Sequence, residues 1–250
     1  MFYSIIGELD KKLPIEKDKN YTEALWTNML EKISNTDKNM ADEIHNSTDK
    51  KMTVSRFFTE KDSNTRFRIT ILEDKIYQTL INELIQDKNI KITGQTHKLT
   101  GLYFAQTKMT RYAQVEEEET LYRILKKNPG KLTIKFISPT IFRRNNSNYI
   151  IPEPHLIFSS LARRWNSVCK INFEQETITE IVNKLIVSNL KIKSEIMYYK
   201  NMAQTGFTGF ITFDTKKLTP EEYSIILGLK KFGFYSSVGA KTSFGFGQII

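Results

Sequence analysis

Arg66-Phe67-Arg68-Ile69-Thr70-Ile71 alternates with period two: Phe67, Ile69 and Ile71 share one face, and Arg66, Arg68 and Thr70 share the other. Successive side chains of a strand point to opposite sides of a sheet, so the stretch reads as a half-buried antiparallel strand with a basic open face. Lys131-Leu132-Thr133-Ile134-Lys135-Phe136 repeats the pattern, with Lys131, Thr133 and Lys135 outward. Phe207 to Phe213 is a third such strand, aromatic-rich and carrying Thr208 and Thr212, and Met1 to Leu9 reads as an opening strand.

Helical signals fall between these strands. Thr219-Pro220-Glu221-Glu222 is a capping box with Pro at the first helical position, and Tyr223, Ile226 and Leu227 lead from it to a closing Gly233. Pro154 opens a segment in which Ile157, Leu161, Trp165 and Val168 share a face; Tyr21 to Ile33 and Leu72 to Gln86 are further amphipathic stretches. The order is β, α, β, β, α, β over residues 1–106 and β, α, β, α, β over residues 130–250, with strand-poor Tyr122 to Gly130 between. The predicted fold is α+β: two tandem ferredoxin-like (RRM-like) βαββαβ domains, residues 1–125 and 126–250, each a sheet with helices on one face. Such sheets often bind single-stranded RNA on the open face.

Composition supports this reading and narrows the chemistry. The 250 residues carry 37 Lys and Arg against 28 Asp and Glu, a net charge of +9, and 40% are hydrophobic. That is enough apolar material for a core, and the positive surplus favours a polyanionic partner, by default nucleic acid. A single cysteine, Cys169, predicts neither an internal disulfide nor a thiolate metal cluster, and points to a reducing, cytoplasmic setting. Met1 to Glu8 meets an acid too early for a signal peptide, and no apolar run approaches the ~20 residues of a membrane span. There is no P-loop, no Gly-x-Ser-x-Gly elbow and no His-Glu-x-x-His pair. His45, His97 and His155 lie too far apart for a local metal site, and Glu116 to Glu119 read as a solvated acidic turn. The expectation is a reaction with no metal and no cofactor.

Two stretches of the second half go beyond patterning. One is Phe136-Ile137-Ser138-Pro139-Thr140-Ile141-Phe142-Arg143, followed after Pro152 by a helix carrying Leu161-Ala162-Arg163-Arg164-Trp165-Asn166. The other is Phe234-Tyr235-Ser236-Ser237-Val238-Gly239-Ala240-Lys241-Thr242-Ser243-Phe244-Gly245-Phe246-Gly247-Gln248. Together with Ile44-His45, Lys51-Met52-Thr53-Val54-Ser55 and Phe67 to Leu72, they resemble the CRISPR-associated repeat-processing endoribonucleases of the repeat-associated RNA-binding superfamily. That family's hallmark is a C-terminal glycine-rich loop running into a last strand.

The resemblance implies roles, each weighed against a plainer reading. Gly239, Gly245 and Gly247, with donors from Lys241, Thr242 and Ser243, would let backbone N–H groups approach a phosphate; the plain reading is a tight turn into an edge strand. Phe244 and Phe246 read as core residues, and Gly233 as a helix C-cap. His45 matches the family's general acid/base position and lies among Asn46, Ser47, Thr48 and Asp49 and not on an apolar face. Lys51, six residues on, would supply a cation to the phosphorane oxygens. Tyr21 is the nearest upstream tyrosine, and whether a tyrosine completes the site stays open. Arg143, Arg144, Arg163 and Arg164 are candidates for the RNA backbone, with an ordinary solvated helix face as the alternative for the last two. His97 reads as a solvated strand residue and His155 as structural.

The implied activity is metal-independent cutting of precursor CRISPR RNA within its repeats. The 2′-hydroxyl would attack, leaving 2′,3′-cyclic phosphate and 5′-hydroxyl ends. The partner is CRISPR repeat RNA, with a CRISPR effector complex as a second candidate; no membrane partner is expected, and the chain is a monomer or homodimer. The alternative is a non-catalytic RNA-binding subunit of such a complex, which would need neither His45 nor Lys51.

Overall fold

The computed structural model describes residues 1–14, 21–59, 64–122, 127–200 and 202–250. It divides into two compact units: Met1–Glu116 with Met197–Ala203 and Ser243–Gly245, and Glu117–Ile196 with Gln204–Thr242 and Phe246–Ile250. The expected boundary at residues 125/126 lies outside the described residues. Both units are ferredoxin-like.

The first unit runs β1 (Phe2–Leu9), α1 (Tyr21–Thr36), α2 (Lys38–Asn46), β2 (Met52–Val54), β3 (Phe58–Thr59), β4 (Thr65–Ile71), α3 (Asp74–Gln86), β5 (Asn89–Ile92), β6 (Gln95–Tyr103) and β7 (Gln114–Glu116). Its sheet has the order β2-β4-β1-β6-β5, with β3 on β4 and β7 on β1. Ile5, Phe67, Ile69 and Ile71 of the sheet and Leu25, Met29, Ile33, Leu80 and Leu84 of α1 and α3 are fully buried in one core. The apolar half of the β4 pattern is therefore the core face, as the alternation requires.

The other half departs from expectation. Arg66 is 3% exposed and Arg68 1% exposed, so β4 has no open basic face. Arg66 Nε meets Glu8 Oε2 and its Nη1 donates to the Met109 carbonyl, both at 2.6 Å. Arg68 Nε donates to Ser4 Oγ at 2.7 Å, and its guanidinium stands 6.0 Å over the Tyr112 ring. The chain after β6 covers this face and supplies acceptors, without which burying two guanidinium groups would be prohibitive.

His97 is likewise buried, at 2% exposure, on β6 opposite Ile90. Its Nδ1 has no hydrogen-bond partner among the described residues. Burial, reinforced by Lys11 and opposed by Asp10, holds its pKa below the ordinary histidine value. The folded imidazole thus takes up its proton at lower pH than in the unfolded chain, where it does so near pH 6.5. The unfolded state then binds more protons, and stability falls as pH drops below that value. Urea unfolding at pH 7.5 and 5.5 should show a loss on the order of 1 kcal/mol that His97→Gln lacks. Equal losses in the two proteins would assign the acid sensitivity to other groups.

The second unit runs α4 (Glu118–Tyr122), β8 (Lys131–Thr140), β9 (Phe142–Arg144), β10 (Ser147–Tyr149), α5 (Pro154–Val168), α6 (Gln175–Asn183), β11 (Ile186–Tyr199), β12 (Met202–Asp214) and α7 (Pro220–Ser236), the tip of the β11–β12 hairpin counting with the first unit. Its sheet has the order β11-β12-β8. The C-terminal residues add a fourth antiparallel strand: Lys135 N donates to Ile250 O at 3.1 Å, Ile250 N to Lys135 O at 2.9 Å and Ile137 N to Gln248 O at 2.9 Å. Here the open face exists. Lys131, Thr133 and Lys135 are exposed, and the hydroxyls of Thr133 and Thr212 lie 2.9 Å apart across the strands. The capping box at Thr219 is formed as read, but Gly233 is not the C-cap. Helix α7 continues to Ser236, and a Cβ at Gly233 would stand 2.5 Å from Ile249 Cδ1 and 3.0 Å from Leu161 Cδ2. The glycine permits close packing. Among the described residues, no helix is long and apolar enough to cross a membrane.

Candidate functional site

Helix α2 places the histidine. Asp37 caps it, accepting from Met40 N at 2.9 Å, and that bond, followed by one from Lys75, holds the Asp37 carboxyl below its usual range. Met40, Ala41 and Ile44 face the core, which leaves His45 exposed on the last turn. Lys50 closes that turn: its ammonium donates to the carbonyls of Ile44, at 3.0 Å, and His45. Burial pushes the Lys50 pKa down. The last carbonyls of a helix lack intrahelical donors, so a lysine there completes the helix end.

Lys51 Nζ lies 2.6 Å from Glu73 Oε2. It lines a cavity of about 480 Å³ with Asp37, Glu43, Glu73 and Lys75, and His45 is not part of that lining. Lys50 links the two candidates only through the backbone carbonyl of His45. Tyr21 is occupied elsewhere: its hydroxyl donates to the Pro14 carbonyl at 3.0 Å and its ring meets Phe57 at 6.3 Å.

Gly239 and Gly247 of the glycine-rich stretch are packed tightly within the second unit. Gly239 and Gly247 have φ of +82° and +71°, and a Cβ would stand 2.4 Å from the Ile141 carbonyl oxygen at the first and 1.8 Å from that of Val238 at the second. Their N–H groups are already used: Gly239 N donates to Ser160 Oγ at 3.1 Å and Gly247 N to Pro139 O at 3.0 Å. Thr242 and Ser243 are buried. The two N–H groups expected to approach a phosphate are engaged in these internal bonds. Gly245, φ +82°, lies in the first unit against the backbone of Val54, Ser55 and Arg56. Phe246 is fully buried, and Phe244 packs on Trp26 and Tyr199, as core residues should. Lys241 remains partly exposed at φ +58°.

The arginines divide. Arg164 is 4% exposed, and donates from Nη1 to Ser236 O at 2.5 Å and from Nη2 to Gly239 O at 2.9 Å. These bonds hold the loop; three residues after Leu161, its helical phase puts it on the buried side. Arg163 is exposed. Arg143 and Arg144 stand on the β9–β10 hairpin, whose Asn145 and Asn146 have φ of 49° and 60°, the two left-handed residues of a type I′ turn. Arg144 pairs with Glu153 at 2.9 Å and lies 5.2 Å over the Tyr149 ring, whose hydroxyl also bonds Glu153. Glu73 and Glu153, the carboxylates that engage expected cations, gave no signal in sequence because the pairings are made by the fold. Among the described residues, no group of three or more His, Cys, Asp or Glu could hold a metal ion.

The family model described as CRISPR-associated endoribonuclease Cas6 matches residues 134–249. A Streptococcus thermophilus CRISPR-associated endoribonuclease Cas6 is 25% identical over 194 residues, covering 74% of each chain. One from Mycobacterium tuberculosis is 24% identical over 163 residues, 64% of this chain, which spans 49% of that relative's length. Among solved structures, a Cas6 product complex superposes with a TM-score of 0.86 at 20% identity, covering 100% of this chain and 99% of the other. A Thermus thermophilus Cas6 gives 0.77 at 20% identity, with 100% and 98% covered.

Proposed function

We propose that this chain, which the Cas6 endoribonuclease family model matches over residues 134–249, is a CRISPR-associated endoribonuclease that cuts precursor CRISPR RNA within each repeat by attack of a 2′-hydroxyl. The products are a 2′,3′-cyclic phosphate and a 5′-hydroxyl end, and the reaction needs no metal. The observation that carries the reading is an exposed imidazole, His45, on the last turn of α2 with Lys50 and Lys51 immediately after it. His45 transfers a proton, to the leaving 5′-oxygen or from the nucleophile. Lys51 supplies charge to the phosphorane, for which it must exchange Glu73 for the phosphate. Arg143, Arg163 and Lys241 grip the RNA backbone. Arg164 and the glycines shape the loop that carries Lys241.

The setting is cytoplasmic, and the mature RNA is handed to a CRISPR effector complex by a monomer or homodimer. The Lys51–Glu73 pair is the observation favouring the alternative, a non-catalytic RNA-binding subunit. Incubation with a repeat RNA in excess EDTA, followed by analysis of the fragment ends, decides between them. Cutting should persist in EDTA, and a single 2′-deoxy substitution 5′ to the scissile phosphate should abolish it. Activity that disappears in EDTA and returns with magnesium, or undiminished cutting of the 2′-deoxy substrate, would overturn the mechanism. No cutting under any condition favours the binding subunit.

A further inference from the structure

Four side chains of the second unit form one continuous polar line. Arg143 Nη1 on β9 donates to Asn148 Oδ1 on β10 at 2.7 Å. Asn148 Nδ2 donates to Gln204 Oε1 on β12 at 3.1 Å, and Lys241 Nζ from the glycine-rich stretch donates to the same oxygen at 2.8 Å. The orientation of both amides is forced. Arginine and lysine carry donors only, so each amide oxygen must face its cation. The Asn148 amide nitrogen is then spent on Gln204. The Gln204 amide nitrogen, with two N–H donors, has no partner among the described residues.

Arg143 and Asn148 are exposed, and Gln204 and Lys241 partly so; the line is open to solvent. Exposed polar pairs add little to folding, so the arrangement is poorly explained as a stabilising device. Lys241 moreover holds a left-handed φ of +58°, a conformation that costs a non-glycine residue energy and persists where its surroundings impose it. Its ammonium ends on Gln204 and, like the Arg143 guanidinium behind Asn148, polarises the bonds in the direction that strengthens the free N–H donors.

We infer that Gln204, oriented by Asn148 and Lys241, is a specificity-determining residue that presents its amide N–H groups to an acceptor-only group of bound single-stranded RNA. Two parts of an RNA strand set adjacent acceptors, to match two N–H donors, on an edge that holds no donor: the O6/N7 edge of guanine and the non-bridging phosphate oxygens. The exocyclic amino groups of adenine and cytosine would set donor against donor. The inference rests on the RNA-binding reading above, and the test separates the two.

The full chain is titrated against labelled ten-nucleotide oligouridylates carrying one central guanosine, 7-deazaguanosine or adenosine, with fluorescence anisotropy as the readout. For a base edge, wild type should bind the guanosine oligomer roughly tenfold more tightly than the adenosine one, 7-deazaguanosine should lose part of that advantage, and Gln204→Met should erase it. For a phosphate, Gln204→Met should weaken all three oligomers by the same factor without changing the salt dependence, because no charge is removed. Three affinities untouched by Gln204→Met would overturn the inference while leaving RNA binding intact. Failure of wild type to bind any oligomer would overturn both.

Discussion

His45→Ala is expected to bind repeat RNA with near wild-type affinity and to cut it roughly 10²–10⁴-fold more slowly, the usual worth of a positioned acid or base. Packing of α2 is carried by Met40, Ala41 and Ile44, and its last turn is closed by Lys50 on backbone carbonyls, so truncating an exposed imidazole removes neither. On the proposed reading the grip on RNA is spread over several cations and loses little with one ring. Lys51→Ala should show a milder form of the same pattern, because its charge matters most in the transition state and is shared with Glu73 beforehand. Single-turnover cleavage isolates the chemical step from slow product release. A folded His45→Ala protein that cuts at the wild-type rate would end the catalytic assignment.

Gly247→Ala is expected to cost about 3 kcal/mol or more and to lower the melting temperature by ~10 °C. Its φ of +71° already penalises any side chain, and the new Cβ would stand 1.8 Å from the Val238 carbonyl oxygen, an overlap that backbone alone must relieve. Relieving it breaks the Gly247 N–Pro139 O bond of 3.0 Å and the Val238 N–Gly247 O bond of 2.8 Å, beside the strand that Gln248 and Ile250 add to β8. Gly94→Ala provides the comparison, with a similar φ of +79° and nothing within 4 Å of the added atom. It should cost only about 1 kcal/mol, the penalty of left-handed backbone. Equal melting temperatures for the two variants would show that the loop yields to the extra methyl, contrary to the close packing described.

The ferredoxin-like order was legible because most of its strands have one wet and one dry face. β8 reads correctly for that reason: Lys131, Thr133 and Lys135 are exposed while Leu132, Ile134 and Phe136 are buried. β4 carries the same pattern, yet its polar face is covered by chain some 40 residues away in sequence, and alternation holds no information about what covers a face. β11 escaped notice for the opposite reason. Ile186 to Glu195 is exposed or nearly so on both faces, so nothing selects which of its residues are apolar. His45 stands out in the sequence because a polar run follows it. Asn148 and Gln204 could not, since their meeting depends on the β9–β10 hairpin, β12 and the glycine-rich stretch arriving together.

The position of β1 has a consequence for how the first unit comes into being. It is the hub of its sheet, yet Tyr3 pairs with Ile71 and Val115, and Ile6 with Tyr103. Every partner of β1 lies dozens of residues further along the chain. Closing such loops must be paid for in chain entropy before any ladder forms, which places this unit among the slower-folding topologies. During that wait Phe2-Tyr3-Ser4-Ile5-Ile6 is an unpaired, largely apolar segment of high strand propensity. It is the part of the nascent chain most open to pairing with the wrong neighbour, and the part a chaperone would be expected to shield.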